Sequence, residues 1–142
     1  MNLHEWPVGG EYDTVFTFTR KMAIEAGVLV DMTKDKFGEA LREAGFCRHT
    51  AMTATAFAEV IGDADSLPSG QGQIGRWWDV LTVMRFAVGA AIRKSPSVRV
   101  DNVPFKVLVW NGSKHEAKSL YVNCGPGDNA EPVLTIMLEG ED

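Results

Sequence analysis

The chain has 142 residues and a formal net charge of -5 at pH 7; 45% of its residues are hydrophobic and 23% are charged. These values are typical of one soluble globular domain that is long enough for a real core. The acidic balance argues against unassisted nucleic-acid binding, because phosphates require a basic face.

The N-terminal region is predicted to be a flexible arm. Residues 1–13 combine Pro and Gly with polar groups and show no hydrophobic period, so a single domain is expected over residues 14–142. A signal peptide would need a basic start followed by an apolar run, and a membrane span would need a longer apolar run; neither pattern is present. We therefore expect a cytoplasmic protein with reduced thiols.

The next elements are short. Thr19 is a suitable N-cap for a helix over residues 20–26, and Gly27 is the natural place for that helix to end. Residues 28–30 follow as an extended apolar segment. Thr33 is the expected N-cap of a second helix, which ends before Gly45.

A third helix is predicted over residues 51–61, opened by Thr50 and ended by Gly62. Residues 63–73 are small, polar and rich in breaker residues, which predicts a loop. We expect this loop to connect two parts of one domain, because neither side alone would bury enough apolar surface.

Residues 74–94 form the longest predicted helix and the expected centre of the fold. Apolar side chains recur every three or four residues, at Trp77, Leu81, Met84, Val88 and Ile92. Further apolar positions, including Trp78 and Phe86, widen this stripe, so the helix is expected to be buried on most sides and to place both aromatic side chains in the core. Because Trp77 and Trp78 point about 100° apart, one is expected in the core. The other is either a second core contact, which is the favoured place, or a candidate surface anchor.

The hydrophobic period changes to two after residue 96. Strands are predicted over residues 105–110, 119–124 and 133–138, with residues 98–100 as a further edge strand. Asn111-Gly112 predicts a hairpin between the first two strands, and Gly127 is expected at the third position of a type II turn before the last. The fold class is therefore α+β: N-terminal helices with one long central buried helix, then a C-terminal antiparallel meander of three or four strands.

No catalytic, cofactor or metal site is predicted. Cys47, His49 and Cys124 lack the paired close spacing of zinc ligands. Cys124 alternates with apolar residues of its strand, which favours packing over catalysis. A nucleophilic Cys124 activated by His49 or His115 would require the fold to bring them together.

The sequence favours a partner-binding surface over a catalytic, cofactor or metal site. If Leu134, Ile136 and Leu138 face the long helix, the alternate residues of that strand face outward. The candidate partner-binding residues are the outward-facing residues of the strand, Val133, Thr135 and Met137, together with Trp77 of the long helix.

Three stretches of the chain resemble an uncharacterised family of small proteins, a domain of unknown function carried by bacterial plasmids, integrative elements and phages. They are residues 26–33 with 44–46, residues 78–87 and residues 124–138. The resemblance covers residues 15–142 approximately. It implies a mobile-element setting inside a bacterial host cell and supplies neither a reaction nor a catalytic residue.

The leading hypothesis is a non-catalytic interaction module that binds a host or element-encoded protein, or a second copy of itself. A host-modulating or anti-defence role is one form of this hypothesis and rests on association alone. The alternative is an enzyme with a cryptic Cys/His site. The third choice is a DNA-binding accessory protein that uses residues 50–62 as a recognition helix, although no Lys or Arg lies between Ala51 and Gly62.

Overall fold

A computed structural model describes residues 19–62, 72–94 and 102–141 of the chain. In chain order its elements are α1 (Arg20–Glu25), β1 (Leu29–Asp31), α2 (Asp35–Glu43), β2 (His49–Thr53), α3 (Ala54–Ala56) with a π-helical segment (Phe57–Ile61), α4 (Gln73–Lys94), β3 (Asn102–Trp110), β4 (His115–Pro126) and β5 (Pro132–Leu138). The predicted arm, most of the predicted 63–73 loop and the predicted edge strand at 98–100 lie outside the described residues.

The strands form one mixed sheet in the order β1-β2-β5-β4-β3. The α+β class and the antiparallel β3-β4-β5 meander are confirmed. The predicted strand number is wrong, because β1 and β2 join the meander. Strand β2 pairs parallel to β5, which ties the first part of the chain to the last.

Strand β2 takes up the first three residues of the predicted third helix, residues 51–53. Thr50, Ala51 and Met52 are all fully buried, although neighbouring side chains of a strand point to opposite faces. The reason is position: β2 lies between β1 and β5, and both faces of the sheet are covered there. The rest of the helix expected over residues 51–61 is helical, as the short α3 followed by the π-helical segment, so that prediction is confirmed for residues 54–61.

Helix α4 is present where it was predicted, but it buries one stripe rather than most of its surface. Its buried residues lie between residues 76 and 84 of the helix: Arg76, Trp77, Val80, Leu81 and Met84. They pack against α2 and against the alternating buried residues of β3. Phe86 is 70% exposed, so its predicted place in the core is wrong; α4 covers only one side of the sheet, and its far side has no described element packed on it.

The predicted helix cap is confirmed at α1 and is wrong at α2. Thr19 Oγ1 accepts a hydrogen bond from Met22 N, and Gly27 takes φ = +79° just after the helix, as predicted. Thr33 does not cap α2, because its hydroxyl donates to Asp31 instead. Gly45 ends α2 with φ = +97°.

The β4–β5 turn begins later than predicted. Strand β4 continues through Pro126, which faces Pro132 of β5, so Gly127 lies inside a wider loop and does not itself take a positive φ. Gly127 N donates to Glu131 O at 2.6 Å, and the left-handed position is Ala130, with φ = +63°. The predicted type II turn is therefore wrong. The Asn111-Gly112 hairpin is confirmed, with Asn111 N donating to Lys114 O.

The two faces of the sheet carry different side chains. The core face, which packs under α4, includes Met52, Leu120 and Ile136. The outer face is the opposite one, where His49 pairs with Val133 and Ala51 pairs with Thr135. Helix α1 packs at β1 and reaches across this outer face through Arg20.

Candidate binding site

A cavity of about 310 Å³ opens on the outer face of the sheet beside α1. Its lining is drawn from α1, β1, β2, the residues after β1 and the β4–β5 loop: Arg20, Lys21, Ile24, Glu25, Asp31, Lys34, His49, Asp128, Glu131 and Val133. Eight of these ten side chains are ionisable. The cavity therefore combines a ring of charged side chains with the apolar side chains of Ile24 and Val133.

Arg20 joins α1 to the strands beneath it. Its Nε donates to His49 Nδ1 at 3.1 Å, Nη1 donates to Thr135 Oγ1 at 2.6 Å, and Nη2 donates to the Leu134 carbonyl at 2.7 Å. Burial lowers the pKa of the Arg20 guanidinium, while the carboxylates of Asp31, Asp128 and Glu131 act in the opposite direction. The guanidinium is thus held by three acceptors and serves as a fixed floor of the cavity.

His49 lies between Arg20 and Asp31. Because Arg20 Nε–H donates to His49 Nδ1, this nitrogen is an acceptor and the ring proton belongs on Nε2. Nε2 is 3.2 Å from Asp31 Oδ1, within reach of a hydrogen bond. Both ring nitrogens are therefore engaged within the chain, and the imidazole acts as a bridge between two side chains.

Asp31 completes the chain of polar contacts. Its Oδ1 accepts from Thr33 N at 2.9 Å and from the Thr33 hydroxyl, and Lys34 Nζ lies 4.0 Å from Oδ2. Burial raises the pKa of Asp31, but the hydrogen bonds from Thr33 and the adjacent His49 outweigh it, so the pKa lies below its ordinary value. The carboxylate is ionised at neutral pH.

Asp128 closes the cavity from the β4–β5 loop. Its two carboxylate oxygens accept from the backbone N–H groups of Arg20 and Lys21 at 2.8 and 3.0 Å. These are N–H groups of the first turn of α1, which lack partners within the helix. The contact fixes the helix start to the last loop of the fold.

The predicted partner-binding residues take different places. Trp77 is fully buried and donates from Nε1 to the Phe37 carbonyl at 2.9 Å, so it is the core tryptophan and offers no surface anchor. Val133 lines the cavity but is only 3% exposed. Thr135 is half-buried and holds Arg20, while Met137 is half-buried near the Tyr121 hydroxyl.

The residues of the alternative Cys/His site do not meet. Cys124 pairs with Leu134 on the core face, whereas His49 pairs with Val133 on the outer face. His115 lies at the other end of β4, with its ring 4.9 Å from the Trp110 ring. Cys124 Sγ instead accepts from Arg48 Nη1 at 3.1 Å, and both Cys47 and Cys124 are free thiols.

The other candidate sites are also altered by the fold. The recognition helix of the DNA-binding hypothesis begins as strand β2 over residues 50–53 and is helical only over residues 54–61. Within residues 19–62, 72–94 and 102–141, no group of three or more His, Cys, Asp or Glu side chains is placed to hold a metal ion. None of the helices in the described part of the chain is long and apolar enough to cross a bilayer.

Sequence reasoning missed Arg20, Asp31 and Asp128 as members of one site. They lie far apart in the chain and meet only because β2 enters the sheet beside β5. The one local signal is the Asp31-x-Thr33 spacing, which is typical of a side-chain-to-backbone turn and competes with the helix cap assigned to Thr33.

A family model described as "Family of unknown function (DUF6573)" matches residues 9–142 of the chain. No curated protein and no solved structure gives a significant match. The comparisons therefore group this chain with its relatives and leave its activity open.

Proposed function

Because the chain belongs to this family of unknown function, we propose its function from the geometry of the outer face: non-catalytic binding of a protein partner at the cavity beside α1. The observation that carries the proposal is the bonding of the cavity floor. The Arg20 guanidinium is held by three acceptors and both nitrogens of His49 are engaged, so the floor is a fixed platform. Preorganised surfaces of this kind favour binding, because little ordering entropy is lost when a partner docks.

The rim of the cavity supplies charges of both signs. Lys21, Glu25, Lys34 and Glu131 are exposed around the fixed floor. A polar, charged rim around a more buried centre is the usual anatomy of a non-obligate protein interface. A protein segment that carries both acidic and basic residues fits this rim better than a single-charge ligand does.

The predicted outward face of β5 is part of this proposal. Val133 and Thr135 lie in or under the cavity, and Met137 continues the same face toward Tyr121. We retain these three as partner-binding residues. Trp77 is fully buried, so the exposed residues of the cavity rim take its place in the proposal. The mobile-element setting, the cytoplasmic location and an anti-defence or host-modulating role are narrower forms of the proposal, and the resemblance alone supports them.

Site-specific photo-crosslinking tests the proposal. A photoreactive residue placed at Glu25, on the rim, is expected to capture a partner in cells that naturally carry the chain. Lys34→Glu in the same protein should weaken capture and its dependence on salt, because rim charges govern association rates. Lys114→Glu is the matched control, since Lys114 is exposed on the β3–β4 hairpin away from the cavity.

Two outcomes would overturn the proposal. Capture from Glu25 that Lys34→Glu and Lys114→Glu weaken to the same extent would mean that the cavity does not choose the partner. Turnover of a small-molecule substrate that disappears with Cys124→Ser would favour the enzyme alternative instead.

A further inference from the structure

The exposed side of α4 carries a regular pattern that the core does not use. We define the α4 stripe as Asp79, Thr82, Phe86, Gly89 and Arg93, which follow one another at alternating spacings of three and four residues. This spacing places all five along one line of the helix. The buried residues of α4 lie on other sides. The stripe runs between a pocket beside β3, which Asp79 and Thr82 line, and a groove toward α2, which Phe86, Gly89 and Arg93 line.

The centre of the stripe is an aromatic side chain in the open. Phe86 is 70% exposed, the most exposed large hydrophobic side chain among the described residues. Beside it, a groove of about 630 Å³ runs between α2 and α4, bounded by Glu43, Trp78 and Gly89. At Gly89 an added Cβ would meet only the Arg93 guanidinium, at 3.4 Å, so the helix backbone is open to a neighbour there.

The charges of the stripe are arranged symmetrically about Phe86. Asp79 lies seven residues before it and Arg93 lies seven residues after it. When two copies of such a helix pair antiparallel with Phe86 opposite Phe86, each Asp79 faces an Arg93 of the other copy. A parallel pairing would instead place like charges together, which is unfavourable.

We propose that the α4 stripe binds the α4 stripe of a second copy of this chain, in an antiparallel pair with a two-fold axis at Phe86. In this register Thr82 of each copy lies beside Gly89 of the other copy, the next residue of the stripe. These small residues allow the two helices to approach closely, and each Phe86 ring enters the groove beside the other copy's Gly89. The contact is isologous, so it closes at a dimer rather than growing into a filament. It lies on the opposite side of the sheet from the cavity, and it stands or falls independently of the proposed function.

Sedimentation equilibrium of the full chain over a range of concentrations tests the pairing. The wild-type chain is expected to show a monomer–dimer equilibrium, and Phe86→Glu should raise the dimer Kd by more than about tenfold, as removal of a central aromatic anchor does. Ile92→Glu is the matched control, because Ile92 is 53% exposed on the same helix but lies off the stripe. Its Kd should stay within about twofold of wild type, a smaller change than removal of an anchor causes.

A charge exchange tests the antiparallel register. Asp79→Arg and Arg93→Asp should each weaken the dimer, and the double variant should restore it, because every cross-copy pair is again oppositely charged. Circular dichroism of each variant shows that the fold is kept. Should Phe86→Glu be poorly folded, Gly89→Glu fills the groove from an open helix position and should weaken the dimer equally.

Three results would contradict the inference. The first is a chain that stays monomeric up to about 1 mM, the weakest affinity that a specific contact usefully has. The second is a dimer that Phe86→Glu and Ile92→Glu weaken to the same extent, or that the double charge exchange fails to restore. The third is a monomer that binds lipid vesicles through Phe86, which would make a membrane the occupant of the stripe.

Discussion

Asp31 carries the charge that orders the outer face. Protonation of Asp31 is therefore expected to lower the free energy of unfolding. Its pKa in the folded chain lies below the ordinary value of 3.8, because hydrogen bonds from Thr33 and the adjacent His49 favour the carboxylate more than burial disfavours it. A group with a lowered folded pKa contributes stability above its unfolded pKa and loses it as the pH falls through the folded one.

Asp31→Asn is therefore expected to lower the free energy of unfolding at pH 7 by about 1–2 kcal/mol. The difference from wild type should shrink below pH 3.8 and vanish once Asp31 is protonated in both states. Urea unfolding between pH 2.5 and 7 measures it, with Glu139→Gln, on an exposed side chain, as the control. A constant difference over the whole range would show that the charge of Asp31 is not what stabilises the fold.

Ala130 provides a second test on a single residue, at the turn that the sequence placed elsewhere. Its φ of +63° is unfavourable for any residue with a Cβ, whereas glycine adopts it freely. Ala130→Gly should raise the free energy of unfolding by about 0.5–1 kcal/mol, after the larger entropy of glycine in the unfolded chain is subtracted. Ala117→Gly is the matched control: Ala117 is an exposed residue of β4 that is paired with Leu108 of β3, where glycine should destabilise. Thermal unfolding that moves in the same direction for both variants would mean that Ala130 is not strained.

At the scale of elements, local rules predicted best where one residue decides the outcome. Thr19, Gly27 and Gly45 each end or cap a helix by backbone chemistry that no distant contact opposes. Strand β2 could not be predicted in this way, because its Thr and Ala residues accept either a helix or a strand. Its conformation is chosen by β1 and β5 on either side, and β5 lies far along the chain.

The burial of side chains along helix α4 could not be predicted from local rules either. Its apolar residues predict a helix correctly, but they do not reveal how many neighbours it has. Trp77→Ala should cost about 3–5 kcal/mol of unfolding free energy, because a fully buried indole and its hydrogen bond to Phe37 are lost. Phe86→Ala should change it by less than about 0.5 kcal/mol in the monomer, as expected for an exposed position. Urea midpoints at low protein concentration measure both. Equal losses of unfolding free energy in the two variants would show that Phe86 is part of the core.

For the whole molecule, the parallel β2–β5 pair predicts one cooperative unit. The N-terminal strands and the C-terminal meander share a single five-stranded sheet, so neither should open without the other. In native-state hydrogen exchange, amides of β2 and β5 are expected to exchange most slowly and with the same opening free energy. Amides at the outer edges of β1 and β3 should exchange faster. Two distinct opening energies for β2 and β5 would divide the chain into two units.

The candidate site could be predicted only in outline. The alternation of β5 correctly separated Val133, Thr135 and Met137 from the core face of that strand. The charged residues above them were beyond reach, because Arg20, His49 and Asp128 come from three distant segments and carry no shared motif. Periodicity reveals which face a side chain takes, whereas a site of this kind depends on which strands become neighbours.

The pairing of β2 with β5 also sets the order of events during synthesis. Strand β2 leaves the ribosome roughly 80 residues before β5, an interval of about 4–16 s at about 5–20 residues per second. Throughout that time one edge of β2 is without its native partner, and an unpaired edge is a template for pairing with other chains. Nascent chains of this protein should therefore depend on chaperones until residue 138 has emerged, and a chain that terminates before β5 should aggregate rather than persist as a folded fragment.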